Sequence, residues 1–259
     1  MNFDFDNVTV PFRMQPGLRR IAPEDPQLVP LAPGSALYRE KLAVLQAGQS
    51  RHVAPGFDPT PALQAIAERV PGDTPLELAC EQDLAVLDGD SATLPWLCVS
   101  VPSHWAPEDK VGLHFAALHA PVADNAALLA ASEPLVRLVT SGECWERHVW
   151  TISPSGRYDQ HPRRHPREPW PAPDDAQAFA QRCWLRVERQ TFFPVGRGTR
   201  QAVFAIHVML EPLPAVAGVP GAARRLHDSL ASMTDAVLAY KGLAPAREPL
   251  LAWLATCCA

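Results

Sequence analysis

The sequence predicts an α+β fold, an antiparallel sheet with helices packed on one face, and three observations predict it. The runs 183–192 and 201–210 are strand-like and flank Pro194-Val195-Gly196-Arg197-Gly198-Thr199, which reads as a β-hairpin with a longer loop. Residues 145–152 alternate like a third strand. Helical stripes precede these three strands as a group and follow them as a tail, rather than alternating with each strand as a parallel sheet requires.

Each element has its own signal. Six prolines between positions 10 and 35 predict an extended arm lying over the core. A short helix follows at 38–46. Thr60 as cap, Pro61 at the first helical position and the stripe Leu63, Ile66, Val70 predict a helix that Pro71-Gly72 ends. Residues 76–87 suit helix or strand equally. Asp88-Gly89-Asp90 then turns the chain into a strand at 94–101, making a hairpin. Val111, Phe115 and Leu118 predict a helix over 109–118, ending at His119-Ala120-Pro121. A second helix over 125–140 should kink or break at Pro134. Residues 153–174 form a proline-rich charged loop, and a helical stretch follows at 176–182. Beyond Pro220, Leu226, Leu230, Met233, Val237 and Tyr240 form a helical stripe, and 250–257 adds a further turn or two.

Totals exclude several classes. A chain of 259 residues, 47% apolar, can bury a full core as a single domain. A net charge of -5 gives no basic field for nucleic acid. The N-terminus lacks the pattern of a signal peptide and no apolar run would span a bilayer, so a cytoplasmic protein is expected. Six cysteines without a CxxC pair read as buried thiols. Proline, with 28 residues, has about twice its usual share, which predicts stiff loops. GxSxG and the phosphate-binding GxxxxGK[ST] are both missing, and Gly196-Arg197-Gly198 is a hairpin tip rather than a dinucleotide fingerprint.

Chemistry concentrates in Trp184-Leu185-Arg186-Val187-Glu188-Arg189-Gln190-Thr191. Burying an ionised group costs several kcal/mol unless it is paired and hydrogen-bonded, so three charges inside a core-like strand mark a surface that faces a ligand, or a half-exposed strand with ordinary solvated charges. Arg186, Glu188 and Gln190 share one side, and Val187, Arg189 and Thr191 the other. Arg186, Glu188 and Arg189 are the candidate catalytic residues. His119, at a helix end, can ligate a metal or bond the last free carbonyls of its helix. His114 does not share a helix face with it. His161 and His165 have metal-pair spacing but sit among prolines. His207 lies on the Glu188 side if the hairpin register sets it opposite Arg186, and on the other side after a one-residue slip. Trp145, Trp150, Trp184, Phe115 and Phe204 can wall a flat cofactor, and equally suit an ordinary core.

Taken together, Pro102-Ser103-His104-Trp105, Lys110-Val111-Gly112, Leu118-His119-Ala120-Pro121-Val122, Arg186-Val187-Glu188-Arg189-Gln190-Thr191 and Phe204-Ala205-Ile206 resemble the haem-dependent oxidative N-demethylase alpha-subunit-like family, in its order and spacing over roughly 12–213. The resemblance implies a PAS-like antiparallel sheet flanked by helices that holds a b-type haem. It also implies oxidation of a small secondary alkylamine by oxygen, with electrons from a separate flavin and iron–sulfur reductase. His119 is then the iron ligand, with Phe115, Trp150, Trp184, Phe204 and His207 as cofactor-binding residues. The chain departs from the family pattern at Arg147-His148-Val149-Trp150, at His207-Val208-Met209 and at Phe192-Phe193. Two other readings are a haem- or gas-sensing PAS-type module without turnover and a cofactor-free interaction subunit. The expected organisation is an arm over 1–50, a PAS-like haem-binding core over 51–213 and a helical extension over 214–259, within one domain.

Overall fold

Among the residues that the computed structural model describes (3–70, 72–196 and 198–258), seven strands form one antiparallel sheet. They are β1 (Arg19–Ile21), β2 (Arg51–Val53), β3 (Asp83–Asp88), β4 (Thr93–Cys98), β5 (Cys144–Ser153), β6 (Trp184–Pro194) and β7 (Gln201–Pro212), in the order β1-β5-β6-β7-β3-β4-β2. The architecture is α+β, an open sheet consistent with a PAS-like fold. The expected hairpin is β6 and β7, the longest strands and the middle of the sheet. Pro71 and Arg197, in the expected helix stop and hairpin loop, lie outside the described residues.

Helices cover both faces of the sheet, not one. Strand alternation puts Leu185, Val187 and Ile152 on one face, where they pack with Leu213, Leu226, Leu230, Leu250 and Trp253 of the C-terminal helices. The opposite face carries Arg186, Glu188, Gln190, Phe192, Phe204 and Ile206. Part of it is covered by Phe115, Val136 and Val139, and part by Tyr38, Leu42 and Leu45 of the helix Ala36–Gln46. An aromatic or aliphatic stripe on each helix needs only some apolar surface, and nothing in the helical periodicity says which side of the sheet supplies it.

Several boundaries move for identifiable reasons. The helix Thr60–Ala67 starts one residue early, because Asp58 Oδ1 accepts from Thr60 N at 3.0 Å, so Thr60 is inside the helix instead of capping it. The ambiguous run 76–87 divides into a helical turn, Leu76–Ala79, and β3. The expected helix over 109–118 shrinks to Phe115–His119. Gly112 takes a φ of +78°, its N donates to Leu94 O at 2.7 Å, and Phe115 N donates to Ala92 O at 2.7 Å. Bonding back to β4 and the turn before it therefore holds 112–115 extended. The helix expected over 125–140 is broken at Ala131. Pro134 then sits in the first turn of Ser132–Val139, where a missing N–H costs no helical bond. Beyond Pro220 the stripe is split between Ala222–Ala231 and Asp235–Lys241. All six cysteines are free thiols, and Cys80, Cys98, Cys144 and Cys183 are buried.

Candidate functional site

The two faces of the central strands differ in how completely they are filled. Leu185, Val187, Val203 and Ala205 are each 0% exposed. On the same strands and their neighbour, the alternate residues Arg147, Glu188, Gln190 and Phe204 keep partial solvent access. Inner-strand residues under a helical layer stay accessible only where that layer does not cover them, so the layer over the Glu188 face is incomplete.

Arg186 frames one end of that face. This side chain is 2% exposed and would be costly as an unpaired cation, but its guanidinium is fully engaged. Its Nε donates to Ser103 Oγ at 2.8 Å, one terminal nitrogen donates to Val101 O at 3.1 Å and Tyr158 O at 3.0 Å, and the other donates to Arg157 O at 3.2 Å. It thereby ties the loops around 101–103 and 157–158 to β6. Burial lowers its pKa, partly offset by Glu188 and Asp83.

From Arg186 a polar chain runs along the Glu188 face. Ser103 Oγ accepts from Arg186 and donates to Glu188 Oε1, while Gln190 Nε2 donates to Glu188 Oε2 at 2.7 Å. Both oxygens of Glu188 are thus fixed in direction by neutral donors, which leaves the carboxylate charge uncancelled by a direct ion pair. A carboxylate held in this way can receive a cationic or N–H-bearing ligand.

His119 stands on the same side. Its ring lies 4.2 Å from that of Phe115, and Nδ1 is 2.8 Å from Phe115 O. That carbonyl can only accept, so Nδ1 carries the proton and Nε2 is the free lone pair. No hydrogen bond reaches Nε2 among the described residues. Burial lowers the pKa of His119, Phe115 O opposes this, and Arg147 and Lys110 lower it further, which keeps the ring neutral and able to ligate. Phe115 joins the cluster containing Phe192 and Phe204, whose rings stack at 4.6 Å and 8°.

Position 104 belongs to the same rim. His104 has φ +60°, a conformation rarely taken by a residue with a Cβ. Burial, then Arg167 and Arg186, lower its pKa to about 4.

The site therefore gathers Arg186, Glu188, His119, Phe115 and Phe204, and leaves the other candidates elsewhere. His207 pairs with Arg189 across the hairpin, so the register puts both on the Leu185 face. There His207 Nε2 bonds Glu81 Oε2 at 2.6 Å. Arg189 Nε bonds Glu146 Oε2 at 2.8 Å, and its guanidinium also reaches Pro26 O at 2.8 Å. Trp150 is on that face too, edge-on to Phe12 at 6.1 Å. Trp184 lies at the end of β6 with its indole against Gly156, where a Cβ would come within 2.6 Å of the ring. His114 Nδ1 accepts from Ala116 N at 3.2 Å, a helix cap. His161 bonds Glu108 at 3.1 Å, and His165 bonds Asp159 at 3.2 Å. Among the described residues, no group of three or more His, Cys, Asp or Glu side chains could hold a metal ion.

Arg147, Ser103 and Lys241 went unassigned in the sequence. Arg147 had a signal: Glu146-Arg147-His148 interrupts β5 as Arg186-Val187-Glu188-Arg189 interrupts β6. Lys241 Nζ donates to Trp150 O at 2.7 Å. Burial, raised again by Glu188 and lowered by Arg147, leaves its pKa at about 8; no local pattern marks it.

Residues 37–251 match the family model described as haem-dependent oxidative N-demethylase, alpha subunit-like. The chain belongs to that family. The N-demethylase alpha-subunit-like match takes in the helix Ala36–Gln46 from its second residue, six of the seven strands and most of the C-terminal helices, so Arg186, Glu188, His119 and their partners lie within the matched region. The family name carries haem dependence and oxidative chemistry, and among the described residues no helix is long and apolar enough to cross a membrane.

Proposed function

We propose that the chain binds a b-type haem over the Glu188 face and serves as the oxidative N-demethylase subunit for a small secondary alkylamine. The observation that carries this reading is the convergence, on one sheet face, of a neutral imidazole with a free Nε2, an aromatic wall and a carboxylate with both oxygens oriented. His119 would hold the iron, and Phe115 and Phe204 would bound the flat ring system. Bound there, haem supplies the redox-active centre at which oxygen is reduced.

The remaining work falls to the chain's own side chains. A dialkylamine is an ammonium ion at neutral pH. Glu188, oriented by Ser103 and Gln190, attracts that ion, orients its N–H and accepts its proton, leaving a nitrogen lone pair next to the methyl group to be oxidised. Arg186 keeps Ser103 in place and so acts as a positioning residue. Overall, the methyl carbon leaves as formaldehyde with one oxygen atom, the second oxygen leaves as water, and two electrons and two protons are consumed. Without a nucleotide or cluster motif in the chain, the electrons require a separate reductase, for which a flavin and iron–sulfur protein is suited.

Addition of hemin to the purified protein tests the cofactor assignment. The expected result is one equivalent bound with a sharp Soret band, changed in position or lost in His119→Ala. A wild-type protein that takes up no hemin, or an unchanged spectrum in His119→Ala, would overturn it. Formaldehyde release from dimethylamine with a chemical or enzymatic reductant tests turnover. A reduced protein that binds oxygen and releases none would favour the sensor.

A further inference from the structure

Among the described residues, two donors on one strand of the Glu188 face lack acceptors. Arg147 Nε and Trp145 Nε1 are both buried without a hydrogen-bond partner, and no atom of the Arg147 guanidinium makes a hydrogen bond among the described residues. They are two apart on β5, and hence on the same side of it. Strand pairing sets Trp145 opposite Phe192 and Arg147 opposite Gln190, so both border the surface that carries Glu188 and Phe204.

A buried donor without an acceptor is costly, and native chains rarely leave two such donors unsatisfied on one strand. The nearest carboxylate makes no hydrogen bond to Arg147 that would offset this cost: Glu188 is held toward Ser103 and Gln190, one donor on each oxygen, and acts on Arg147 only through its field. A second cation aggravates it: Lys241, whose Nζ is held on Trp150 O, adds repulsion toward Arg147. The Arg147 guanidinium and the Trp145 indole N–H are thus left on the Glu188 face with no hydrogen-bonding acceptor among the described residues.

We propose that Arg147 and Trp145 form a carboxylate-binding subsite, with Glu188 the opposing subsite for a cation. The planar guanidinium fork and the indole N–H can each give a hydrogen bond to one carboxylate group. That chemistry has two sources, an acidic side chain of the porphyrin or the acid group of a substrate that is an N-methylated amino acid in place of a plain alkylamine. Both sources rest on the proposed haem-dependent demethylation, but the subsite itself does not.

The test compares wild type, Arg147→Gln, Arg147→Lys and Trp145→Phe. Arg147→Gln removes a half-buried cation that makes no hydrogen bond among the described residues, so it is expected to fold with an unchanged or higher Tm. Trp145→Phe keeps the ring and loses only the N–H. In one arm, hemin and hemin dimethyl ester are titrated by absorbance. Wild type preferring the free acid by about tenfold or more, with that preference lost in Arg147→Gln and partly kept in Arg147→Lys, supports the subsite and assigns it to the porphyrin. In the other arm, N-methylglycine and dimethylamine are titrated into loaded and unloaded protein by calorimetry. N-methylglycine binding that falls about tenfold or more in Arg147→Gln, while dimethylamine binding holds, supports the subsite and assigns it to substrate. The unloaded protein keeps this arm readable if no hemin binds. Failure of Arg147→Gln to alter either preference overturns the proposal, whatever the fate of the haem assignment.

Discussion

The Leu185 face of the sheet is mostly apolar packing, with polar groups paired at its margin, as in the Arg189–Glu146 ion pair and the His207–Glu81 contact. On the Glu188 face of the same strands, a connected polar chain and two unsatisfied donors sit among aromatic rings. The difference lies in alternate residues of three strands, so one backbone provides a core on one side and a receptive surface on the other. The filled side pays for the conformational rigidity that the receptive side needs.

Substitutions can break this contrast, beginning with the filled side. Leu185→Ala should lower unfolding free energy by about 3 kcal/mol, read by denaturant titration, whereas Phe204→Leu should lower it by less than about 1.5 kcal/mol because its surroundings already stand off. Equal losses would mean that the Glu188 face is packed solid. Glu188→Gln should leave stability within about 1 kcal/mol of wild type but reduce formaldehyde production by about 100-fold or more, the usual range for a lost proton acceptor. Steady-state assays at saturating amine check it, and an active variant would remove Glu188 from proton transfer.

Smaller effects sharpen the picture. Arg186→Gln should cost about 2 kcal/mol, since it gives up charged donors to three carbonyls, and should expose the segments near 101–104 and 157–158 to limited proteolysis. A loss confined to Tm, with no new cleavage, would argue that other contacts hold those loops. Titration adds the last test. His104 has a folded pKa of about 4, below the ordinary 6.5; the unfolded chain therefore binds the proton first. Its stabilising contribution is complete above pH 6.5 and disappears as pH falls through 6.5 toward 4. His104→Asn, which tolerates positive φ, should flatten the stability curve in that window. An unchanged slope there would assign the pH dependence to other buried imidazoles, such as His119 and His148.

Much of the fold was legible because its strongest signals are local. The β6–β7 hairpin, β5 and the helix at 36–46 all follow from alternation, turn residues and apolar spacing. What failed was set by partners distant in sequence. Residues 112–115 have helical spacing, but their backbone groups bond to the β4 region. The side of the sheet on which each helix packs is likewise a tertiary choice. For the site, the sidedness of Arg186, Glu188 and Gln190 was readable from alternation alone. The position of His207 was not, because a hairpin loop of several residues permits more than one register. Arg147 carried the same anomaly as Arg186, a cation within an apolar strand, and what distinguishes the two is that Arg147 makes no hydrogen bond among the described residues.

The contact between Gly156 and Trp184 decides more than local packing. A single added methyl would wedge the indole away from the chain at the turn just before Arg157 and Tyr158, the two carbonyl donors of electron density that hold Arg186. The grip on Ser103 would slacken next, and with it the aim of Glu188. A position with no side chain thus borders the segment whose carbonyls accept from Arg186.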